Sequence, residues 1–232
     1  MVHNQVMKPL GRKPKAWIAG VGPGSSEYIT ERVRNAIREA EIVVGWRISL
    51  ELFSSSLASK TVMIEELNNY PQVVMRAAEI CREEGRPTVV LTTGDACVSA
   101  ALEEMLDAFK GVDVEVIPGI SSVQMAAGRA GVTLEESVIV SFHKLGSVNK
   151  RLRWVTDSLS NGRNVICLLD EDFPASWVAE QLLKRKVRSV REVVVCQSLS
   201  LPEEQVFRGT LSEVRSLKTI PLSVAVFRVR TG

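Results

Sequence analysis

The sequence is poor in the residues from which metal sites and disulfide frameworks are built. Its 232 residues include only two histidines, His3 and His143, and four cysteines without a CxxC pair. Zinc sites draw on closely spaced His and Cys ligands, so we expect no zinc centre and no other metal site. Each cysteine lies in or beside an apolar segment, which predicts buried free thiols in a reducing compartment.

An excess of charge and a long apolar run are also missing. The chain has 29 basic and 27 acidic residues, a net charge of +2, so nothing in its charge calls for nucleic acid or an anionic membrane as a partner. No apolar run approaches the roughly 20 residues that span a bilayer. Residues 1–14 lack the apolar core of a signal peptide. We therefore predict a cytoplasmic protein with a frayed tail at residues 1–14.

Several catalytic motifs are absent as well. There is no GxxxxGK[ST] loop, no GxSxG turn and no clearly spaced pair of catalytic carboxylates. A dinucleotide-binding fingerprint fits poorly, because the glycines run GxGxG and no Asp or Glu ends the second strand. Chemistry that depends on positioning remains. Methyl transfer from a sulfonium donor is such a case, since alignment alone can supply on the order of 7–11 kcal/mol.

Short apolar runs alternate with amphipathic stretches along the whole chain, which predicts an α/β protein. We divide it into an N-terminal α/β domain at residues 15–120 and a mixed α/β domain at residues 121–232. The first half is βαβ-like and predicts a mostly parallel sheet. The last two predicted strands, at residues 205–210 and 222–229, come close together in sequence and predict antiparallel pairing.

Three predicted strands end in turns that couple glycine with a short polar side chain. These turns read GVGPGSS at residues 20–26, TTGD at residues 92–95 and PGISS at residues 118–122. Glycine permits positive φ and leaves no Cβ to hold a ligand away, and ligands of open α/β sheets lie beyond the carboxyl ends of the strands. The structural alternative is that Ser25, Asp95 and Ser121 are helix N-caps.

Basic side chains and one histidine complete the set of candidates. His143 follows a predicted strand, where it either packs against its neighbours or faces a substrate as a hydrogen-bond donor or proton acceptor. Lys144, Lys150, Arg151 and Arg153 follow it, and they form either a solvated helix face or a landing site for an acidic substrate. Arg47, after the second strand, and Arg129 are similar candidates.

Five segments in order resemble one known family. They read GVGPGSSEYIT (residues 20–30), EIVVGWRIS (41–49), TTGD (92–95), PGISSVQMAAGRAG (118–131) and SFHK (141–144). Together they resemble the tetrapyrrole (corrin/porphyrin) methylases, S-adenosylmethionine-dependent enzymes of cobalamin and sirohaem synthesis. The combination of VVGWR, PGISSVQ and a serine–x–histidine strand end is most similar to the precorrin-6Y methylase branch, which methylates C5 of precorrin-7 or cobalt-precorrin-7.

The resemblance implies two α/β domains with S-adenosylmethionine in the cleft between them, an anionic tetrapyrrole substrate and a homodimer. By motif position, the residues implied in cofactor binding are Gly22, Pro23, Gly24, Gly94, Asp95, Val98, Ser121, Ser122 and Leu169. Arg47 and Lys144 are the implied substrate contacts, and His143 is a substrate contact or proton acceptor. Ala96 stands where the family shows proline, and Lys144 where the branch shows glycine.

The branch often works beside a decarboxylating C15 methyltransferase, as a fused domain or a separate partner. The length of this chain leaves no room for that domain, so we expect a single methyl transfer, to C5. Other readings stay open at this point. They are another tetrapyrrole methylase branch, a diphthine synthase type, a nicotinamide-binding oxidoreductase and a non-catalytic tetrapyrrole-binding subunit.

Overall fold

A computed structural model of the chain describes residues 16–66, 68–99, 101–143, 147–218, 220 and 223–229. These residues form two compact units. The first unit contains residues 16–19, 32–66, 68–91 and 101–117, and the second contains the remainder. The glycine-rich segment 20–31 and the segment 92–99 therefore belong to the unit that is built mainly by the second half of the chain.

The first unit is organised around a five-stranded sheet with the order β3-β2-β4-β1-β5. Its strands are β1 (Ala16–Gly20), β2 (Ile42–Trp46), β3 (Thr61–Glu65), β4 (Thr88–Thr92) and β5 (Val114–Ile117). Its helices are α1 (Glu31–Glu39), α2 (Arg47–Glu51), α3 (Tyr70–Glu84) and α5 (Leu102–Ala108). The short α4 (Ala96–Ser99) precedes α5 in the chain but belongs to the second unit.

The predicted parallel sheet is confirmed where pairing is resolved. Strand β2 runs parallel to β3 and to β4, and β1 runs parallel to β5. Strands β1 and β4 are buried along their whole length, as expected for a sheet covered on both faces. Helix α1 buries Val33, Ala36 and Ile37 at helical spacing. Helix α3 ends at Gly85, whose φ of 70° is the left-handed conformation that glycine adopts at helix ends.

The second unit contains a mixed sheet with the order β6-β7-β10-β8-β9. Its strands are β6 (Ser137–Ser141), β7 (Asn164–Leu169), β8 (Val190–Gln197), β9 (Gln205–Gly209) and β10 (Ser223–Val229). The helices α6 (Ser122–Ala130), α7 (Val148–Ser160), α8 (Ala175–Lys184) and α9 (Leu211–Val214) complete it. Strands β6 and β7 are parallel, and β10 is antiparallel to both of its neighbours.

Alternation along the strands of this second sheet builds two separate cores. In β7, Ile166 and Leu168 face one side, where they join the apolar face of α6. Val165, Cys167 and Leu169 face the other side and join the cores of α7 and α8. The period of two along a strand sends successive side chains to opposite faces, so this strand is buried throughout.

Two predicted details differ from the structure. The last two strands do not pair with each other, because β8 lies between β9 and β10 and pairs with both. The four cysteines are free, but Cys97 is exposed while the other three are buried.

Candidate functional site

Three glycines bring three chain segments into direct backbone contact in the second unit. We call Gly20, Gly94 and Gly119 the glycine junction. A Cβ on Gly20 would lie 2.5 Å from Gly94 O and 2.7 Å from Gly119 N, and a Cβ on Gly119 would collide with Gly94 O and Gly20 O. Real Cβ atoms do not approach backbone so closely, so only glycine fits at these two positions. The three turns that the sequence singled out therefore converge.

Backbone hydrogen bonds fix two of these turns to each other. Gly22 N donates to Gly94 O at 3.2 Å, and Gly94 N donates to Gly22 O at 2.7 Å. Val21 N donates to Thr92 O at 2.9 Å. Gly22 has a φ of 87° and Gly94 a φ of 70°, conformations that other residues adopt only with strain. The pairing thus joins the predicted cofactor positions Gly22 and Gly94 in one backbone surface.

The polar residues of the three turns act as caps, as the structural alternative predicted. Ser121 forms a capping box with Gln124 at the start of α6, where its Oγ accepts from Val123 N at 3.2 Å. Asp95 Oδ1 accepts from Cys97 N at 2.8 Å at the start of α4. Ser25 Oγ accepts from Glu27 N at 3.3 Å. Ser25 also caps a 3₁₀ turn at Ser26–Tyr28, and α1 begins after this turn, at Glu31.

A fourth segment, which the sequence analysis missed, packs on the glycine-rich turn. Ser25 N donates to Ser200 Oγ at 3.0 Å. A Cβ on Gly24, whose φ is 153°, would lie 2.9 Å from Leu201 Cδ2. Ser200 itself has a φ of 71° and Ser198 a φ of 49°. Neither glycine nor asparagine occurs at this bend, so the sequence did not predict its left-handed backbone conformations.

The remaining predicted cofactor residues are placed as follows. Pro23 and Gly24 are half-buried in the glycine-rich turn, Val98 lies on α4, and Ser122 is the first residue of α6. Leu169 ends β7 with its side chain in the core, so only its backbone can face a ligand. His143 follows β6, and its Nε2–H donates to Leu169 O. Because a carbonyl oxygen accepts, this bond places the proton on Nε2 and leaves Nδ1 as the acceptor nitrogen.

The predicted basic residues fall into different environments. Arg47 is exposed at the start of α2 in the first unit, and Lys144 lies outside the described residues. Arg151 is 7% exposed, and its Nη1 donates to Phe142 O at 3.3 Å. It therefore holds the end of β6 and does not belong to a solvated basic face. Lys150 stays at the surface with its Nζ 5.2 Å from the centre of the Trp154 ring.

The first unit holds an acidic residue that the sequence did not single out. Glu65 ends β3 opposite Trp46 of β2 and is 1% exposed. Neither carboxylate oxygen has a hydrogen-bond partner among the described residues, and the hydroxyl of Tyr70 has none either. Burial raises the pKa of Glu65 to about 7, and burial together with Glu65 raises the pKa of Tyr70. The pattern of β3 does not indicate a buried carboxylate, because its other residues are exposed or only half-buried.

The described part of the chain has few features of a metal site, a membrane span or a nucleophilic thiol. No cluster of three or more His, Cys, Asp or Glu residues with the geometry of a metal site occurs there. Likewise, none of the helices described above combines the length and apolar character needed to cross a bilayer. Burial and the neighbouring Asp95 raise the pKa of the exposed Cys97 thiol, so this thiol is not activated as a nucleophile.

Comparison with known proteins identifies the family. The model for tetrapyrrole (corrin/porphyrin) methylases matches residues 15–215. A Methanocaldococcus jannaschii protein named "Probable cobalt-precorrin-7 C(5)-methyltransferase" is 28% identical over 91% of this chain and 96% of its own length. The solved precorrin-6Y methylase of Archaeoglobus fulgidus is 25% identical, with a TM-score of 0.72 over 94% of this chain and all of its own.

A third relative was solved with a ligand. The uroporphyrin-III C-methyl transferase of Thermus thermophilus, complexed with S-adenyl homocysteine, is 21% identical with a TM-score of 0.72 over 92% of this chain and 91% of its own. At this identity the structural similarity shows only a shared fold. The shared fold agrees with the two α/β units described above, and the family model extends over residues of both units. The chain therefore belongs to the tetrapyrrole (corrin/porphyrin) methylases, which confirms the family that its motifs indicated.

Proposed function

We propose that this protein transfers a methyl group from S-adenosylmethionine to C5 of precorrin-7 or cobalt-precorrin-7 in corrin synthesis. As a member of its family it is a C-methyltransferase, and S-adenosylmethionine is the methyl donor. The choice of C5 rests on the similarity to the Methanocaldococcus jannaschii protein, which extends over nearly the full length of both chains. The observation that carries the proposal within the molecule is the glycine junction.

The glycine junction suits a cofactor that is held mainly by backbone groups. Where three turns meet without Cβ atoms, N–H and C=O groups can approach a ligand closely. We assign cofactor contact to Gly22, Pro23, Gly24, Gly94, Asp95, Val98, Ser121, Ser122 and the backbone of Leu169. Asp95 already caps α4 through Oδ1, but a carboxylate has about four acceptor sites. It can therefore also accept from a ribose hydroxyl.

Methyl transfer from a sulfonium donor requires little acid–base catalysis. When bound, S-adenosylmethionine supplies an electrophilic methyl group that needs no further activation. The chain has to hold a ring carbon in line with that methyl, and the backbone pairing of Gly22 with Gly94 gives the rigidity for it. A methyl that replaces hydrogen on a ring carbon releases one proton. We assign its uptake to His143, whose Nδ1 is left as the acceptor nitrogen by the bond from Nε2 to Leu169 O.

Substrate recognition is assigned to Arg47 and Lys144. A tetrapyrrole with carboxylate side chains is anionic, and arginine binds a carboxylate through two parallel hydrogen bonds. Arg47 is exposed at the carboxyl end of β2, the edge of a parallel sheet where ligands bind in α/β proteins. Lys144 carries the same charge close after His143 in sequence.

The test uses purified protein, precorrin-7 and a donor with a ¹³C-labelled methyl group. We expect one labelled methyl at C5, detected by NMR of the product, with S-adenosylhomocysteine released in equal amount. A methyl at another ring position would identify a sister branch of the family. A diphthine synthase type would leave the tetrapyrrole unlabelled and label a protein acceptor instead. Absence of any transfer, with the tetrapyrrole still bound, would indicate a carrier subunit and refute the proposal.

A binding measurement separates the remaining alternative. S-adenosylhomocysteine at about 100 times its dissociation constant should stabilise the protein by about 2.7 kcal/mol, whereas NADH should have no effect. Protection by NADH and not by S-adenosylhomocysteine would favour a nicotinamide-dependent enzyme.

We further propose a homodimer in the cytoplasm, working beside a separate decarboxylating C15 methyltransferase. In support of self-association, the edge strand β3 exposes Val62 and Ile64 on one face, each more than one-third accessible. Light scattering after size-exclusion chromatography measures the mass. A mass of one chain across the micromolar range would exclude the dimer.

A further inference from the structure

The bend at residues 198–204 is held in an unfavourable conformation by contacts that lead to the glycine-rich turn. Ser200 has a φ of 71°, a left-handed backbone conformation that is strained for a non-glycine residue. Such a conformation persists only when its surroundings impose it. Two bonds of Ser200 do so: its Oγ accepts from Ser25 N at 3.0 Å, and its own N–H donates to Glu204 Oε2 at 2.8 Å.

Glu204 uses its second oxygen to tie this bend to α6. Its Oε1 accepts from Arg129 Nε at 2.6 Å. The ion pair with Arg129 and the bond from Ser200 N–H both lower the pKa of Glu204, so the carboxylate stays charged at neutral pH. Arg208 of β9 donates in turn to Arg129 O. Helix α6 begins at the Ser121 cap, so the same helix carries a predicted cofactor residue at one end and this anchor at the other.

The contacts form one continuous connection, from Arg129 through Glu204 and Ser200 to Ser25. It ends on the backbone of the glycine-rich turn, next to Gly24, where Leu201 fills the space a side chain would take. None of these side chains needs to touch a ligand. What the connection fixes is the position of the turn at residues 22–25.

We propose that Ser200 and Glu204 are positioning residues that hold the glycine-rich turn in its ligand-binding conformation. The identity of that ligand, S-adenosylmethionine, rests on the proposed function; the positioning role does not. Loss of the Ser200 hydroxyl frees Ser25 N–H and lets the turn leave its binding conformation for part of the time. The apparent affinity then falls in proportion to the fraction of molecules whose turn keeps the ligand-binding conformation.

The experiment compares Ser200→Ala, Ser200→Gly, Glu204→Ala and Glu204→Gln with Glu180→Ala as the control. Glu180 forms an exposed ion pair with Lys184 on α8, away from this connection. Calorimetric titration gives the dissociation constant for S-adenosylhomocysteine. We expect it to rise about three- to tenfold for Ser200→Ala, Ser200→Gly and Glu204→Ala, as for a lost hydrogen bond, and to stay unchanged in the control.

Three further comparisons separate positioning from a general loss of stability. Ser200→Gly removes the hydroxyl and also relieves the left-handed strain, so it should bind more weakly while melting no lower than the wild type. Glu204→Gln keeps an acceptor for Ser200 N–H and should recover part of the affinity. The double variant Ser200→Ala/Glu204→Ala should have a dissociation constant no higher than that of the single variant that binds more weakly, because both substitutions act through one connection.

Hydrogen exchange of the free protein tests the role without any ligand. Faster exchange in peptides covering residues 22–28 of Ser200→Ala, with no change in α8, supports the positioning role. This holds even if the wild type fails to bind S-adenosylhomocysteine, because failure to bind would refute only the proposed function. Unchanged exchange in that segment in both Ser200 variants overturns the inference. Weaker affinity in exact proportion to a lowered melting temperature across all variants overturns it as well.

Discussion

Replacing Gly20 by alanine tests the glycine junction most directly. The new Cβ would lie 2.5 Å from Gly94 O, 2.7 Å from Gly119 N and 2.9 Å from Gly119 Cα. All three are backbone atoms, so no side chain can rotate away to relieve the contact, and two turns have to move apart. Overpacking typically costs 1–3 kcal/mol, and we take about 3 kcal/mol because the obstacle is backbone.

A smaller effect acts in the opposite direction. Alanine restricts the unfolded chain more than glycine does, which contributes roughly 0.5–1 kcal/mol to stability where the native φ is allowed. The net expectation for Gly20→Ala is therefore about 2 kcal/mol of destabilisation. For a chain of this size, that corresponds to a melting temperature lowered by roughly 4–8 °C. Thermal and urea unfolding followed by circular dichroism measure both quantities.

Gly128→Ala is the matched control from the same unit. Gly128 lies inside α6, and a Cβ there would meet nothing within 4 Å. Alanine in a helix interior is favoured over glycine by about 1 kcal/mol, so this variant should be more stable than the wild type. If Gly20→Ala unfolded at the wild-type temperature while Gly128→Ala behaved as expected, the close approach of the three turns would be wrong.

Three further expectations follow from the described contacts. Because the folded state raises the pKa of Glu65 from 4.5 to about 7, the contribution of Glu65 to stability is highest below pH 4.5 and declines as the pH rises toward 7. Glu65→Gln should therefore stabilise the protein by up to about 3 kcal/mol near pH 8 and by clearly less near pH 5. Equal effects of Glu65→Gln on urea unfolding at the two pH values would contradict this. Ser121→Ala should cost about 1 kcal/mol through its lost capping box and also weaken S-adenosylhomocysteine binding, whereas Thr210→Ala, which breaks the capping box of α9, should cost the same in unfolding and leave binding intact. His143→Gln keeps a donor for Leu169 O but lacks a basic nitrogen, so kcat should fall about 100-fold with unchanged S-adenosylhomocysteine affinity; a kcat within a factor of two of the wild type would remove His143 from proton transfer.

The larger features of the fold could be predicted from the sequence alone because each depends on residues that are close together in the chain. Apolar spacing in α1 and α3, glycine at the end of α3 and the buried runs of β1 and β4 are each set by a few neighbouring residues. The convergence of the turns was predictable for a related reason. Each turn is a strand end with glycine, and strands of a parallel sheet end at one edge.

Contacts between distant residues were not predictable in the same way. Ser25 and Ser200 are separated by 175 positions, and nothing in either segment specifies the other. The same holds for β8, which intervenes between the last two strands although they are neighbours in sequence. Glu65 follows strand residues that are exposed or only half-buried, and the packing of the first unit decides that Glu65 itself is buried.

The cap and ligand interpretations of the three turns do not compete, and their combination explains why glycine is needed there. Ser25, Asp95 and Ser121 each accept a bond from a backbone N–H that follows them, so these side chains are already engaged. A ligand at the junction has to be held largely by main-chain groups, which reach it only if the chain itself comes close. Close approach excludes Cβ atoms, and the contacts of Gly20 and Gly119 show that the segments already meet at that limit. The caps fix where the helices start, and the glycines let the main chain between those starts serve as the binding surface.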